Sequence, residues 1–509
     1  MKKISIYAFL VLLTVLLSRC DLNVIPTDGL TGEQVKATAD GLPSLVNGCY
    51  SILKDPTDDA NNWYLRQYFQ LSDFASDDIV CSYKTEDDLI NSFRYTDRTP
   101  EKSNINSFWA LNYKIIFGAN VAIDMATQKG TDDETMQLMG ESYFLRAFAT
   151  HNLVRLFAKP YSEANKTSPG VILRENLADN QPKARATLED TYTYIENSLK
   201  MAVSVMPMDK PASRAGAGYA SREAAWALLS RVYLYQDKWD SAIAYSDSVI
   251  NSGNYSLTTA ENYAGYFINA RNEGETIWFI PFLTIDDKRE GSVASMIYNG
   301  PSCWGEEGVT PSLMETMGFG TDMQTVDQRW QMIETDNTGF KNGITLYYVK
   351  KFSGQDNSAT LSSPVMLRLA EIYLNRAEAY AHKGDVASAV DDLNTLLENR
   401  LIPADGKTFD DYKYDAGSIA AADIVDVVLR ERRIELAFEG HRIFDLLRNG
   451  KDIVRNYWGF HLDTYNGVPS GSEPGLDAGG VLFHASDPAL VYPIPSSEIT
   501  TNKLCVPND

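Results

Sequence analysis

The sequence predicts a mostly α-helical protein built on paired helices, with long loops and a few short strands between them. Three observations carry this. Thr135–Phe157 is a strong helical run. Two later stretches, around Trp226–Ala242 and Tyr373–Leu393, repeat one pattern of bulky and small residues at helical spacing. Leu429–Gly450 (LRERRIELAFEGHRIFDLLRNG) places Ile434, Ala437, Phe438, Ile443, Phe444 and Leu447 on an apolar face. In that last stretch Arg432 and Glu435, Glu439 and Arg442, Arg442 and Asp445, and Asp445 and Arg448 are each three apart and share helix faces. It reads as one or two amphipathic helices, interrupted at Gly440 and flanked by paired charges, with a structural role as the plainest explanation.

Taken in chain order, Asp21–Leu30 (DLNVIPTDGL) is polar and Pro-containing, a tether-like segment. A helix is expected from Thr31 or Gly32 toward Tyr50. Leu71–Asp78 (LSDFASDD) packs three acids into six residues, which suits either calcium or a capping and turn cluster. Small Ala147 within the helix Thr135–Phe157 suits close helix contact. Ala158–Lys183 is polar with three prolines and reads as a loop, and Thr187–Met206 is helical again. Trp226, Leu229, Ser230 and Tyr233 then sit four, seven, eight and eleven into a repeat of about 34 residues, with Ala242 where the second helix needs a small side chain. Tyr373, Ala377 and Tyr380, followed by Ala389 and Leu393, repeat that spacing. This is tetratricopeptide character, but more than a hundred residues separate the two pairs, so a contiguous solenoid is not expected. Between them Gly253–Pro364 has another texture. Glu275–Pro281 (ETIWFIP) reads as a short buried strand, and Arg289–Gln324 is a Gly-, Ser-, Thr- and Asn-rich loop region of the kind that carries binding.

The chain has 509 residues, enough for a large core, and is 44% hydrophobic and 22% charged, a globular balance. Its net charge of −22 argues against nucleic acid, whose phosphates select a basic footprint, and against electrostatic docking on anionic lipid. The 28 tyrosines suit wet, amphipathic contacts and cores alike. Lys2 and Lys3 precede an apolar run, Ile4–Leu17, that is short for a transmembrane helix, and Cys20 follows at once. No later apolar run is long enough to span a bilayer. Cys49, Cys81, Cys303 and Cys505 are scattered without a CxxC, which argues against a disulfide scaffold or a zinc site. The five histidines form no ligand spacing, and no GxSxG, P-loop or GxGxxG appears. A binding protein without a cofactor, rather than an enzyme, is expected.

The Leu429–Gly450 stretch resembles the C-terminal signature of the SusD/RagB family, surface lipoproteins that capture nutrients. Four further matches follow in family order. Leu17-Ser18-Arg19-Cys20 resembles a lipobox, with Arg19 where a small residue is usual. Leu71–Asp78 resembles the "LSDxxSDD" element, Glu141 with Leu145–Phe148 the "ExxxLRAF" pattern, and Tyr492–Ile499 (YPIPSSEI) the closing "PIPxxEI" motif. The resemblance implies a signal peptide over 1–19 and a region over 20–220 with the lipid anchor at Cys20. It implies a region over 221–509 with the two further helix pairs, variable loops and the closing motif. It also implies a tetratricopeptide-like scaffold whose loops and short strands form the ligand face, and an outer-membrane, externally facing location. Its function would be glycan capture for a SusC-like TonB-dependent transporter. Peptide capture, as in the RagB branch, is the alternative, and a non-transport tetratricopeptide scaffold a third reading.

Sugar rings stack their C–H faces on Trp and Tyr while their hydroxyls need polar partners. The ligand candidates are therefore Trp63, Tyr83, Tyr298, Trp304 and Trp330, with Asn299, Glu306 and Arg329 as neighbouring polar groups; core packing is the competing role for each. Trp226 and Trp239 fit the scaffold, Trp278 the buried strand and Trp109 a helical core position, while Trp458 lies in the tail.

Overall fold

Helix α1 (Gly41–Ile52) is the first element of the computed structural model, which describes residues 38, 40–54, 63–81, 87–95, 98–179, 181–336, 346–455 and 482–508. The chain divides into Met1–Ser44, described only at Thr38 and Asp40–Ser44, and Leu45–Asp509, to which everything below refers. The expected helix start at Thr31 or Gly32, the tether, the signal segment and Cys20 lie outside the described residues, as do Tyr83 and Trp458.

The molecule is mostly helical. After α2 (Tyr64–Gln70) come α3 (Ser103–Lys129), α4 (Asp133–Phe157), α5 (Leu188–Val205), α6 (Arg222–Leu234) and α7 (Trp239–Ile250). Then follow α8 (Val293–Ile297), α9 (Leu369–His382), α10 (Val386–Glu398), α11 (Ile424–Glu435), α12 (Arg442–Arg448) and α13 (Ser496–Thr501). The long helices start where the sequence supplies caps. Asp132 accepts the Thr135 N–H at 3.0 Å, Thr187 that of Asp190 at 3.0 Å, Ser221 that of Ala224 at 3.1 Å and Asp385 that of Ser388 at 3.1 Å.

Close helix contact follows from small residues. A Cβ on Gly140 of α4 would fall 2.3 Å from Met206 Cγ at the end of α5. Of the expected repeat positions, Leu229, Ser230, Ala242, Ala377, Ala389 and Leu393 are fully buried and Tyr233 nearly so, while the bulky Trp226, Tyr373 and Tyr380 are half-buried. The Ser230 and Ser246 hydroxyls meet at 2.8 Å between α6 and α7. The pairs stack in one array: α3 on α4, α4 on α5, α5 on α6, α6 on α7, α7 on α9, and α9 on both α10 and α11. The two pairs are not contiguous along the chain, as expected, but they are neighbours in space. The intervening segment leaves the array and returns, and α7 packs directly on α9, with the Trp239 and His382 rings stacked at 4.1 Å.

The strands are β1 (Ile79–Cys81), β2 (Thr276–Phe279), β3 (Glu307–Val309), β4 (Ile333–Asp336), β5 (Leu346–Val349), β6 (Val365–Arg368), β7 (Ile453–Val454) and β8 (Leu482–Phe483). They pair antiparallel: β1 with β3, β2 with β6, β4 with β5 and β7 with β8. The expected buried strand is β2. Its Trp278 is fully buried, edge-on to Phe144 and Phe148 of α4 at 4.9 and 5.0 Å, so the strand is wedged onto the helix array.

The signature stretch is two helices, α11 and α12, separated where Phe438 and Gly440 take left-handed backbone angles, φ 66° and 82°. A Cβ on Gly440 would lie 2.5 Å from the Tyr68 ring, so the break is also a close approach that requires glycine. The charges behave differently from the expected flank. Only Asp445 and Arg448 pair at three-residue spacing, at 2.6 Å. Glu435 pairs with Arg368 (2.6 Å) and Arg400 (2.9 Å), Glu439 with Arg368 (2.8 Å) and Lys351 (2.6 Å), and Arg432 with Asp445 (3.2 Å) and Glu378 (3.3 Å). All are buried: this is an interior network.

The LSDFASDD element completes it. Asp77 pairs with Arg442 and Asp78 with Arg433, both at 2.7 Å, and the Gly440 N–H donates to Asp73. The three acids thus receive the signature helices instead of capping their own turn. Among the described residues no cluster of acids, histidines or cysteines is arranged to hold a metal ion, and Cys49, Cys303 and Cys505 are free thiols. No described helix is long and apolar enough to cross a membrane. The closing motif ties back in the same way: the Tyr492 hydroxyl donates to Leu71 O at 3.1 Å and Trp109 Nε1 to Glu498 at 3.3 Å.

Candidate ligand-binding face

Helix α8 anchors the segment with Trp304, the most exposed of the described candidate aromatics. Ser292 caps it, accepting the Ser295 N–H at 3.1 Å. Its N-terminal approach lies on the Trp63 ring: a Cβ on Gly291 would come within 2.0 Å of the indole, and Lys288 Nζ stands 5.3 Å from the ring centroid. At its C-terminal end the chain arches through Tyr298–Gly305 and comes back to the helix. The Cys303 N–H closes a turn on Gly300 O at 3.0 Å, and Ser302 and Gly305 take φ of 62° and 58°. The Trp304 N–H then donates to both the carbonyl and hydroxyl oxygens of Ser295 at 2.9 Å, the Gly305 N–H to Ser295 O at 2.8 Å, and the Glu306 N–H to Met296 O at 2.9 Å. The backbone on both sides of Trp304 is pinned to α8, while its indole is 51% exposed. An apolar ring held out on a fixed backbone loses little freedom when something stacks on it.

Tyr298 opens the arch. It is half-buried, packed over Gly300, and its hydroxyl is hydrogen-bonded to Glu334 on β4. Burial and the Glu334 carboxylate push the phenol up to about 12, so it remains a neutral hydroxyl at neutral pH. Asn299 is half-buried against Gly305, and Glu306 is half-buried just past the arch. Tyr298, Asn299, Trp304 and Glu306 therefore belong to one short segment that offers an apolar plate bordered by polar groups. Glu307, next along, points inward and is fully buried; burial pushes its carboxyl well above the usual range, so it is no part of the charge on this face.

The other candidates are placed differently. Trp63 is 8% exposed and acts as the foundation under α8. Arg329 is buried, with Nε and Nη2 on Asp327 and Nη1 on Glu431, so its donors are taken by interior acids and not by a surface ligand site. Those acids hold its pKa well above the ordinary guanidinium value. Trp330 is also buried, its Nε1 donating to Met317 O at 2.9 Å. It lies 6.0 Å from Phe319, whose ring is 43% exposed and edge-on to Tyr347 at 5.7 Å. Glu334 opposes Tyr348 and Thr335 opposes Tyr347 across the β4–β5 hairpin. Side chains alternate along a strand, so Tyr298 with Glu334 and Phe319 with Tyr347 serve opposite faces of the hairpin. Phe319 was not among the sequence candidates. Its signal was the glycine on either side, Gly318 and Gly320, both left-handed, much as Trp304 precedes Gly305.

Comparison with known proteins agrees with this architecture. Residues 282–509 match the SusD family model, and residues 37–234 match the family described as starch-binding associating with outer membrane. Among curated relatives, SusD-like protein P38 of Formosa agariphila is 26% identical, the alignment covering 89% of this chain and 92% of the relative. The starch-binding protein SusD of Bacteroides thetaiotaomicron is 24% identical, covering 95% and 94%. Among solved structures, a SusD superfamily protein from Bacteroides thetaiotaomicron superposes with a TM-score of 0.77 at 24% identity, covering 92% of this chain and 99% of that one. Another, from Bacteroides vulgatus, gives 0.74 at 25% identity, covering 92% and 98%. The two family matches flank the middle of the chain, the relatives span nearly its whole length, and the helix array is that of the solved structures: the chain belongs to the SusD family.

Proposed function

We propose that this protein is a cell-surface lipoprotein, anchored to the outer membrane through Cys20, that captures an oligo- or polysaccharide on the Trp304 face. It then passes the glycan to a SusC-like TonB-dependent transporter. The observation that carries the reading is the exposed indole of Trp304 on a backbone held at both sides by Ser295 and Met296. A sugar ring stacks on such a plate, and Asn299, Glu306 and the Tyr298 hydroxyl are the nearby groups for its hydroxyls. The site is shallow and wet, so binding is modest in affinity and rests on pre-organisation. The relative named for starch binding and the family description that associates such proteins with the outer membrane support the glycan and the location. The transporter partner, the lipid anchor and the outward orientation follow from the family reading of Cys20 and the closing motifs.

Peptide capture, the RagB-like alternative, favours a deep cavity lined by groups that satisfy a peptide backbone. The exposed plate favours glycan over it. Affinity electrophoresis of the purified protein against a polysaccharide panel, with a peptide pool in a parallel pull-down, separates the two. Retardation in a polysaccharide gel supports the proposal. Binding of peptides alone replaces it with the RagB-like reading, and binding of neither, together with a cytosolic location and no lipid on Cys20, leaves the interaction scaffold.

A further inference from the structure

A cavity of about 240 Å³ lies at the C-terminal end of α4 and shares no residue with the Trp304 face. Its walls include Arg155, Tyr161, Tyr192, Tyr235, Phe444 and Arg448, closed on one side by the loop 485–491. The volume is below the roughly 300–1,000 Å³ of pockets for drug-sized ligands, so it suits one small molecule.

The two guanidinium groups of the wall differ. Arg448 is fully engaged by Glu378 and Asp445. Arg155 has no carboxylate partner among the described residues. Its Nη2 donates to Asn152 and, at 3.5 Å, to the Tyr68 hydroxyl, and its guanidinium lies 4.3 Å from the Phe444 ring centroid. Its Nε and Nη1 are buried without an acceptor. The Tyr235 hydroxyl is also unpaired, in a residue only 4% exposed. Behind it His151 stacks edge-on at 5.2 Å, and burial holds its imidazole neutral, so it adds no second positive charge beside Arg155. Asp487, the acid in the wall, is turned onto the Ala489 N–H at 2.9 Å. Acidic residues outnumber basic ones 68 to 46 in this chain, yet no acid among the described residues pairs with Arg155. A guanidinium kept without an acid, beside a buried unpaired hydroxyl and aromatic walls, is the composition of a small-anion pocket.

We propose that this cavity binds a small carboxylate-bearing molecule, its carboxylate accepting from Arg155 and Tyr235 and its body lying against Tyr161, Tyr192 and Phe444. Uronic acids and simple organic acids share this chemistry. Calorimetry on the purified protein with sodium glucuronate, glucose and sodium acetate tests it. Glucuronate should bind at least about ten-fold more tightly than glucose, as expected for a charge-assisted pair in a partly buried site. Acetate binding as tightly as glucuronate keeps the site and assigns it to simple organic acids; weaker acetate assigns it to sugar acids. Arg155→Gln should abolish carboxylate binding. Because Arg155 also packs on Phe444, Tyr235→Phe serves as the second variant: it keeps the ring, and should weaken glucuronate several-fold with the melting temperature unchanged. Trp304→Ala should leave this binding intact, which separates it from the glycan face. Absence of binding by both carboxylates, equal binding of glucose and glucuronate, or binding unaffected by Tyr235→Phe overturns the proposal.

Discussion

At the scale of single residues, two tryptophans that meet the two ends of the short helix α8 from outside it do opposite things. Trp304 is half-exposed and contributes little to packing, whereas Trp63 is buried under the start of α8. Trp304→Ala should abolish retention in a polysaccharide gel and leave thermal unfolding unchanged. Trp63→Ala removes a buried indole and should cost about 3–5 kcal/mol of stability. It should weaken glycan binding only indirectly, by loosening the support of the arch. Scanning calorimetry alongside affinity electrophoresis separates the two effects; a large stability loss in Trp304→Ala would sink the assignment of that indole to a ligand. The candidates were legible as residue types, but their exposure was not. Trp304 and Trp330 lie in the same variable region, and nothing local distinguishes a ring turned outward from one whose Nε1 reaches Met317 O. What separates them is the Ser295 anchor nine residues upstream of Trp304 and the Met317 and Phe319 contacts of Trp330, neither visible in a local window.

At the scale of elements, the paired-charge stretch and the acidic stretch explain each other. Both were legible as motifs; their partnership was not, because Asp78 and Arg433 are 355 residues apart and Asp77 and Arg442 are 365 apart. Spacing along a helix predicts surface pairs at three residues, but here burial removes water as the alternative partner, so each charge must find its counter-ion on another element. Asp73 is the member of this junction that titrates in an accessible range. It is 1% exposed, and burial pushes its carboxyl up to about 7, against roughly 3.9 for an unfolded Asp. The folded state therefore keeps a proton that the unfolded chain releases, and Asp73 makes stability fall as pH rises from about 4 to 7. At about 1.4 kcal/mol per unit this amounts to roughly 4 kcal/mol across the window. Asp73→Asn retains an oxygen for the Gly440 N–H and cannot ionise. Its stability relative to the parent should rise steadily between pH 4 and pH 7 in denaturant titrations and level off above. A difference independent of pH would mean that Asp73 is already ionised in the fold.

At the scale of the molecule, helix pairs recognised separately in the sequence form one array. Their groove residues were legible because small side chains at fixed helical positions are a local signal. Their junction was not, since α7 meets α9 only after the chain has passed through β2 to β6. The ion pair between Arg231 of α6 and Glu371 of α9 crosses the same divide. Arg231 donates from Nε and Nη2 to the two carboxylate oxygens at 2.6 and 2.7 Å, with both side chains 1% exposed. Arg231→Met leaves the Glu371 carboxylate buried and unpaired, which should cost about 3–5 kcal/mol. If the array is one cooperative unit, amide exchange should accelerate together in Arg222–Leu234 and Leu369–His382, although they lie far apart in sequence. Adding Glu371→Leu removes the stranded charge and fills its space with apolar volume, so the double variant should recover most of the loss and restore slow exchange in both helices. Acceleration confined to Arg222–Leu234 would mean that the two pairs unfold independently. Cooperative exchange would mean that the middle segment, with its arch and its exposed indole, is held at both ends by a single rigid body, which is the condition for Trp304 to meet a ligand without first being ordered by it.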